Sequence, residues 1–338
     1  ASSISMSGGK IDADESLAVS GALTHSGDIT IDVAETKTLT YTGTAISLGA
    51  NTLTLSGGGS LVSGGLTLDN ASSKLVLNSI TVDNVSTTSD SSSGGLDVDN
   101  DSTVSSLSVA HITPVSIASG KTLSGAITVT AGSIKLAETG TLASSISMSG
   151  GTLDADNSLT VSGALSQSGN ITIDVADNKT LTYSGTAISL GANTLTLSGG
   201  GALGNTNALV LNNTNSKLLL NSITVDNVST TSDSLGLDVD ADSTVTSLSV
   251  ANITPVSIAS GSSLSGGITV TAGSLKLSEA GTLASTISMS GGVLDADESL
   301  AVSGALTHSG DITIDVADNK TLTYSGAAIS VGANTLTL

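Results

Sequence analysis

The sequence holds no cysteine, phenylalanine, tryptophan or arginine. It has three tyrosines, two prolines and nine lysines, and those lysines are all its fixed cations. Each absence closes a class of answer. Without cysteine there is no disulfide scaffold, zinc thiolate or thiol nucleophile. Without phenylalanine and tryptophan the wide core of a large globular domain cannot be filled. Nine lysines against 29 acids leave a formal charge of −20. That balance cannot neutralise phosphates, which weighs against nucleic acid, so no nucleic-acid partner is expected, and it disfavours anionic membrane surfaces. No apolar run is long enough to span a bilayer, so membrane insertion is not expected. The chain opens on Ala1 without a signal peptide and is expected to be a mature or excised piece.

What is present is aliphatic, small and periodic. Hydrophobic residues make up 38%, nearly all leucine, isoleucine, valine and alanine, which argues against disorder. The segment from Lys37 to Leu55, KTLTYTGTAISLGANTLTL, returns at Lys179–Leu197 and at Lys320–Leu338. It belongs to a longer repeat. The copies are 1–142, 143–283 and a partial 284–338, and the last differs from the first at eight of 55 positions. Small length changes fall at Ser60–Asp69 against Ala202–Asn212, and at Ser91–Gly95 against Ser234–Gly236. These are loop-like places, where insertions are tolerated.

Inside each copy a finer rhythm runs. Leu39–Tyr41, Ile46–Leu48 and Leu53–Leu55 alternate with period two, and Gly43, Gly49 and Asn51 break them. Similar pieces recur at Leu17–Val19, Ile29–Val33, Leu75–Leu77, Leu96–Val98, Leu107–Val109 and Ile127–Val129. Leu17, Leu39 and Leu61 lie 22 apart, and Val104, Leu123 and Leu142 lie 19 apart. Three short strands and three corners in about 20 residues describe one turn of a coil. The pattern predicts an all-β, single-stranded parallel β-solenoid, right-handed, with aliphatic residues stacked inside and Thr and Ser outside. About 17 such turns would extend roughly 80 Å at the spacing of sheet strands. The competing arrangement is a string of β-sandwiches, but those use longer strands and larger core residues. No linker marks the copy boundaries, so one continuous stack is expected. Neither end carries a polar cap, which anticipates a longer native chain or end-to-end self-association.

Among candidate sites, the acids are most prominent. LDVDNDS carries Asp97, Asp99 and Asp101, and its twin LDVDADS carries Asp238, Asp240 and Asp242. Alternate acids on a strand face one side and could share a hard cation such as Ca²⁺. The glycine and distal glutamate of helix–loop–helix calcium loops are missing. A second series is Asp12/Asp14, Asp154/Asp156 and Asp295/Asp297. The plainer reading of both is a solvated acidic face, and no cofactor is required. His25 and His308 are matched by Gln167, and His111 by Asn252. A repeated catalytic or metal site would need the ring in every copy, so these are expected to be exposed polar positions. There is no GxSxG elbow, and the tyrosines Tyr41, Tyr183 and Tyr324 recur once per copy, which suits a corner better than a sugar-binding platform. Thr-x-Thr pieces such as Thr40/Thr42 lack the regularity of an ice-binding face. An enzyme is not expected.

The ITIDVA, KTLTYTG and GANTLTLSGGG repeats and the Cys-free, Gly/Thr/Ser/Asn/Asp-rich composition resemble the shafts of large bacterial surface proteins. Those shafts are filamentous-haemagglutinin-like adhesins and autotransporter passenger regions. The resemblance implies secretion, display at the bacterial cell surface, and a structural rod, filament or sheath role. An adhesin shaft that meets a host or surface receptor or a glycan is the alternative it implies.

Overall fold

The computed structural model describes residues 3–338. The chain forms two compact units, one running to Ser166 and the other from Gln167 to Leu338, so the division falls inside the second sequence copy. Both are parallel β-solenoids, and no helix occurs among the described residues.

In the first unit most turns have three straight pieces. The first face stacks Gly9–Ala13, Ile29–Val33, Thr52–Ser56, Lys74–Asn78, Gly95–Val98, Ile112–Ile117, Ser133–Leu136 and Thr152–Ala155 in one parallel ladder. The second face begins with Leu17–Val19, Thr38–Tyr41 and Ser60–Ser63. The third begins with Ile4–Met6 on Leu23–His25, followed by Ile46–Ser47 and Leu66–Leu68. At Thr81–Thr87, Ser102–Val109 and Thr122–Val129 the second and third faces merge into single longer strands. Ladder partners lie 19 to 24 residues apart, as in Ile4↔Leu23 and Ile29↔Leu53. The alternating pieces read from the sequence are therefore strands of successive turns. Gly9–Ala13, Leu23–His25, Ser60–Ser63 and Thr141–Leu142 are among the strands added to them.

Register explains why the composition suffices. Ile29, Leu53, Leu75, Leu96, Val115 and Leu136 form one column of direct ladder partners, and Ile31, Leu55, Leu77, Val98 and Ile117 form another. All are at most 3% exposed. Each aliphatic side chain packs on its own kind one turn above and below, so a narrow interior closes without aromatic bulk.

The second unit repeats this on its own residues. Leu195, Leu218, Leu237, Val256 and Leu277 form its matching first-face column. Its merged strands are Thr224–Thr230, Ser243–Val250 and Ser263–Val270.

One spacing inferred from the sequence is corrected. Val104 does not stack on Leu123. Ser102 pairs with Leu123 and Val104 with Gly125, and the ladder resumes at Leu107↔Ile127 after a bulge. The second-face column thus slides by two residues at this turn. An even slide keeps every side chain on its side of the strand, so the core survives it. The second unit makes the same slide, with Ser243↔Leu264 and Val245↔Gly266.

Candidate functional site

The carboxylates of the solenoid are mostly engaged one by one between neighbouring turns. On the outer side of the first face, Lys10 lies 3.2 Å from both Asp12 and Asp32. Lys74 is 2.7 Å from Asp97, and Lys135 is 3.1 Å from Asp156 and 3.6 Å from Asp154. In the second unit Lys217 is 2.6 Å from Asp238, and Lys276 is 2.8 Å from Asp297 and 3.5 Å from Asp295. These pairs are partly exposed, and each contributes little on its own. Their hydrogen bonds hold the ammonium groups of Lys10, Lys74, Lys135 and Lys276 above the usual lysine range.

Each predicted cation trio is thereby separated. Asp97 and Asp238 face lysines on the strand. Asp99 and Asp240 lie just past the strand ends at Val98 and Val239. Asp101 and Asp242 sit in the following corner, where their Oδ1 atoms accept the backbone N–H of Thr122 and Ser263, both at 2.8 Å. The alternation that would align the three acids ends with the strand. Among the described residues no group of three or more His, Cys, Asp or Glu side chains converges as a metal site would require.

Corner capping is a second use of these acids, and the sequence reading did not find it. Asp28 accepts from Thr52 N at 2.7 Å, Asn170 from Thr194 N at 2.8 Å, and Asp311 from Thr335 N at 2.7 Å. Asp69 accepts from Gly49 N at 2.8 Å, and its counterpart Asn212 from Gly191 N at 2.9 Å. Asp90 and Asp233 do the same for Ile112 and Ile253. Corners leave ladder donors without a strand partner, and an Asx oxygen from the adjacent turn supplies one. The Asp-to-Asn exchanges between copies were the available signal. They keep the acceptor and discard the charge, which fits a cap and not a cation ligand.

One acid is tuned. The Ser56 hydroxyl donates to Asp32, and Lys10 lies beside it, so Asp32 sits below the usual carboxylate range despite partial burial. A depressed carboxylate stabilises the fold above its unfolded value of 3.8, and that contribution is lost as pH falls through the lower folded value. The melting-temperature gap between the native chain and Asp32→Asn should therefore be constant near neutrality. It should close on acidification below about pH 4, the ordinary range for aspartate. A gap that widens in acid would contradict this.

The tyrosines are corner residues. Tyr41 is buried, and its hydroxyl accepts the N–H of Leu23 at 2.8 Å. Gly43 makes room, since a Cβ there would lie 2.4 Å from the Tyr41 hydroxyl. In the second unit Tyr183 donates to Thr186 O at 2.8 Å, and Tyr324 accepts from Leu306 N at 3.0 Å. Tyr41→Phe strands a buried donor and should cost about 1–3 kcal/mol in denaturant unfolding. Tyr324→Phe, at a less buried bond, should cost less.

The histidines need correction. His25 and His308 are not exposed polar positions. Each follows an inward leucine by two residues, so alternation turns it inward. Met6 lies beside His25 in the ladder, and Met289 beside His308. Their Nδ1 atoms lie 3.0 and 2.9 Å from the carbonyls of Gly27 and Gly310, while Nε2 is shielded without a hydrogen-bond partner. Gln167 Oε1 is shielded in the same way. His111 is 39% exposed, 3.4 Å from Asp90.

Three of the concave features are polar corners. In the first unit a 410 Å³ trough is lined by Gly58, Ser79, Thr81, Asp101, Thr103 and Ser124 among others. It meets a second depression at Gly58 and Ser79, lined also by Asp32 and Glu35. A 190 Å³ trough in the second unit is lined by the counterparts Gly200, Ser222, Thr224, Asp242 and Thr244. Comparison with protein-family models, curated proteins and solved structures found no match for the chain.

Proposed function

We propose that this chain is a structural, non-catalytic component of a bacterial cell surface, an extracellular rod or filament element whose product is stacked, stiff length. The observation that carries this reading is the allocation of its polar chemistry. Seven of the nine lysines, most acids and the hydroxyls of Tyr41 and Tyr324 join one turn to the next, and the hydrophobic interior is aliphatic apart from tyrosine and methionine. Stiffness then comes from many nearest-neighbour interfaces, none of them unique. End-to-end association with a second copy or with further repeats belongs to the same proposal. Secretion and surface display belong to it as well, and are supported by the likeness in composition and repeat style to surface shafts.

The test is geometric. The chain is placed between a cell-surface anchor and a fluorescent tag, and tag height is read by interference microscopy. Removing one 141-residue copy, 143–283, should lower the tag by roughly 34 Å, about seven strand spacings. An unchanged height would refute the structural reading. The alternative, an adhesin shaft or calcium-dependent module, predicts that millimolar Ca²⁺ raises the melting temperature. The structural reading expects no shift. A binding face has one observation in its favour, the duplicated trough.

A further inference from the structure

We propose that the corner trough of each unit is a binding site for a neutral glycan chain, two sites per polypeptide. The argument begins with the shape of the corner. Between the inward residues Leu55 and Leu61, and between Ile117 and Leu123, the chain uses five residues, but between Leu77 and Val82 it uses four. The shortened corner turns through Ser79 in the left-handed region, with φ of 56°, and buries Ile80. The next corner buries Ser102, whose hydroxyl accepts from Ile80 N and donates to Asn100 O. The surface therefore sinks between its neighbours. The second unit repeats every step: four residues between Leu220 and Val225, Ser222 at φ 54°, and Ile223 and Ser243 buried.

The lining sets the ligand class. Thr81, Thr103 and Ser124 are successive ladder partners, so a hydroxyl stands at each turn, spaced as strands are. The Thr103 and Ser124 hydroxyls lie 2.8 Å apart and Ser124 donates to Ser102 O, so these two meet a ligand as acceptors while Thr81 can donate. Asp101 adds a carboxylate whose Oδ1 is committed to Thr122 N, leaving Oδ2 to accept from a ligand. Thr224, Thr244 and Asp242 occupy the same places in the second unit. A row of hydroxyl donors and acceptors with a carboxylate suits a polyol that repeats along the same line. Asp32 and Glu35 at one margin, and a chain charge of −20, turn away anionic polymers. No lysine or aromatic ring lines either trough, so phosphate and apolar ligands gain nothing there. Without an aromatic platform each site is weak, and two sites on one chain give avidity for a long polymer.

Asp101→Asn with Asp242→Asn keeps the backbone cap, as Asn170 and Asn212 do elsewhere, and removes only the charge-assisted acceptor. The full chain would be titrated with cellohexaose, chitohexaose and maltohexaose by isothermal calorimetry, with CaCl₂ alone as a parallel arm. At least one sugar should bind at two sites per chain. The double Asn variant should bind it about tenfold more weakly with an unchanged melting temperature, and Asp101→Asn alone should weaken one site of two. A second pair, Thr103→Val with Thr244→Val, should weaken the same sugar. No binding of any of the three at millimolar concentration, binding that both double variants leave untouched, or binding of Ca²⁺ alone at these aspartates would overturn the proposal. The tag-height experiment is indifferent to all of these results, so the two readings fail separately.

Discussion

Gly125→Ala is expected to be among the most damaging single-methyl additions in the chain, lowering unfolding stability by about 3 kcal/mol or more. Gly125 sits where the second-face column slides, opposite Val104, at φ of +118°. A Cβ there would lie 1.8 Å from the Val104 carbonyl oxygen and 2.6 Å from its carbon. Both obstacles are backbone in the adjacent turn, so no side-chain rotation relieves them. The ladder itself would have to open at the bulge. Gly120 provides the control. Its φ of +73° is also positive, but a Cβ there meets nothing within 4 Å, so Gly120→Ala should carry only the left-handed penalty of about 1–2 kcal/mol. Gly266 is the twin of Gly125 in the second unit, with φ of +111° and a clash at 1.9 Å from Val245 O, and should behave like it. Urea unfolding of the three variants decides the matter. Equal losses at Gly120 and Gly125 would show that backbone conformation alone, and not the close approach of turns, governs the bulge.

That slide marks the boundary of what the sequence discloses. Period-two alternation and corner residues were enough for the fold, because a solenoid core is a list of inward positions and each is written locally. The pairing of one turn with the next is not local. Leu17, Leu39 and Leu61 are evenly spaced and stack as spaced, whereas Val104 and Leu123 are evenly spaced with Leu142 and yet do not stack on each other. A two-residue slide leaves the in–out pattern intact, so no alternation rule detects it. The glycine without a side chain at the displaced position was its only trace. The corner caps made by the acids were hidden for a related reason. Asp97, Asp99 and Asp101 look like one ladder in a line of text, but the strand stops at Val98 and the chain then turns. The histidines were misread as exposed although their burial was legible. His25 shares parity with Leu23, and the absence of a ring at Gln167 spoke against chemistry, not against burial.

Leu75→Ala should cost about 2–5 kcal/mol, the range for a leucine cut from a close-packed interior. Leu75 is wholly buried and has Leu53 and Leu96 as its ladder partners, themselves 0% and 2% exposed. Neither neighbour can fill the space without leaving its own column, so the cavity persists. Leu17→Ala is the contrast. That leucine is 49% exposed and should cost well under 1 kcal/mol, as surface changes usually do. How the loss is distributed matters more than its size. In a stack of nearest-neighbour turns, weakening one interface lowers the local opening energy of the turns that share it before it lowers the rest. Native-state hydrogen exchange should therefore show the largest loss of protection at Leu53–Leu55, Leu75–Leu77 and Leu96–Val98. Amides of Ser133–Leu136, two first-face strands beyond Gly95–Val98, should change less. A uniform loss across the first unit would mean that it unfolds as one indivisible block, and that its resistance to unfolding is a property of the block and not of each successive turn.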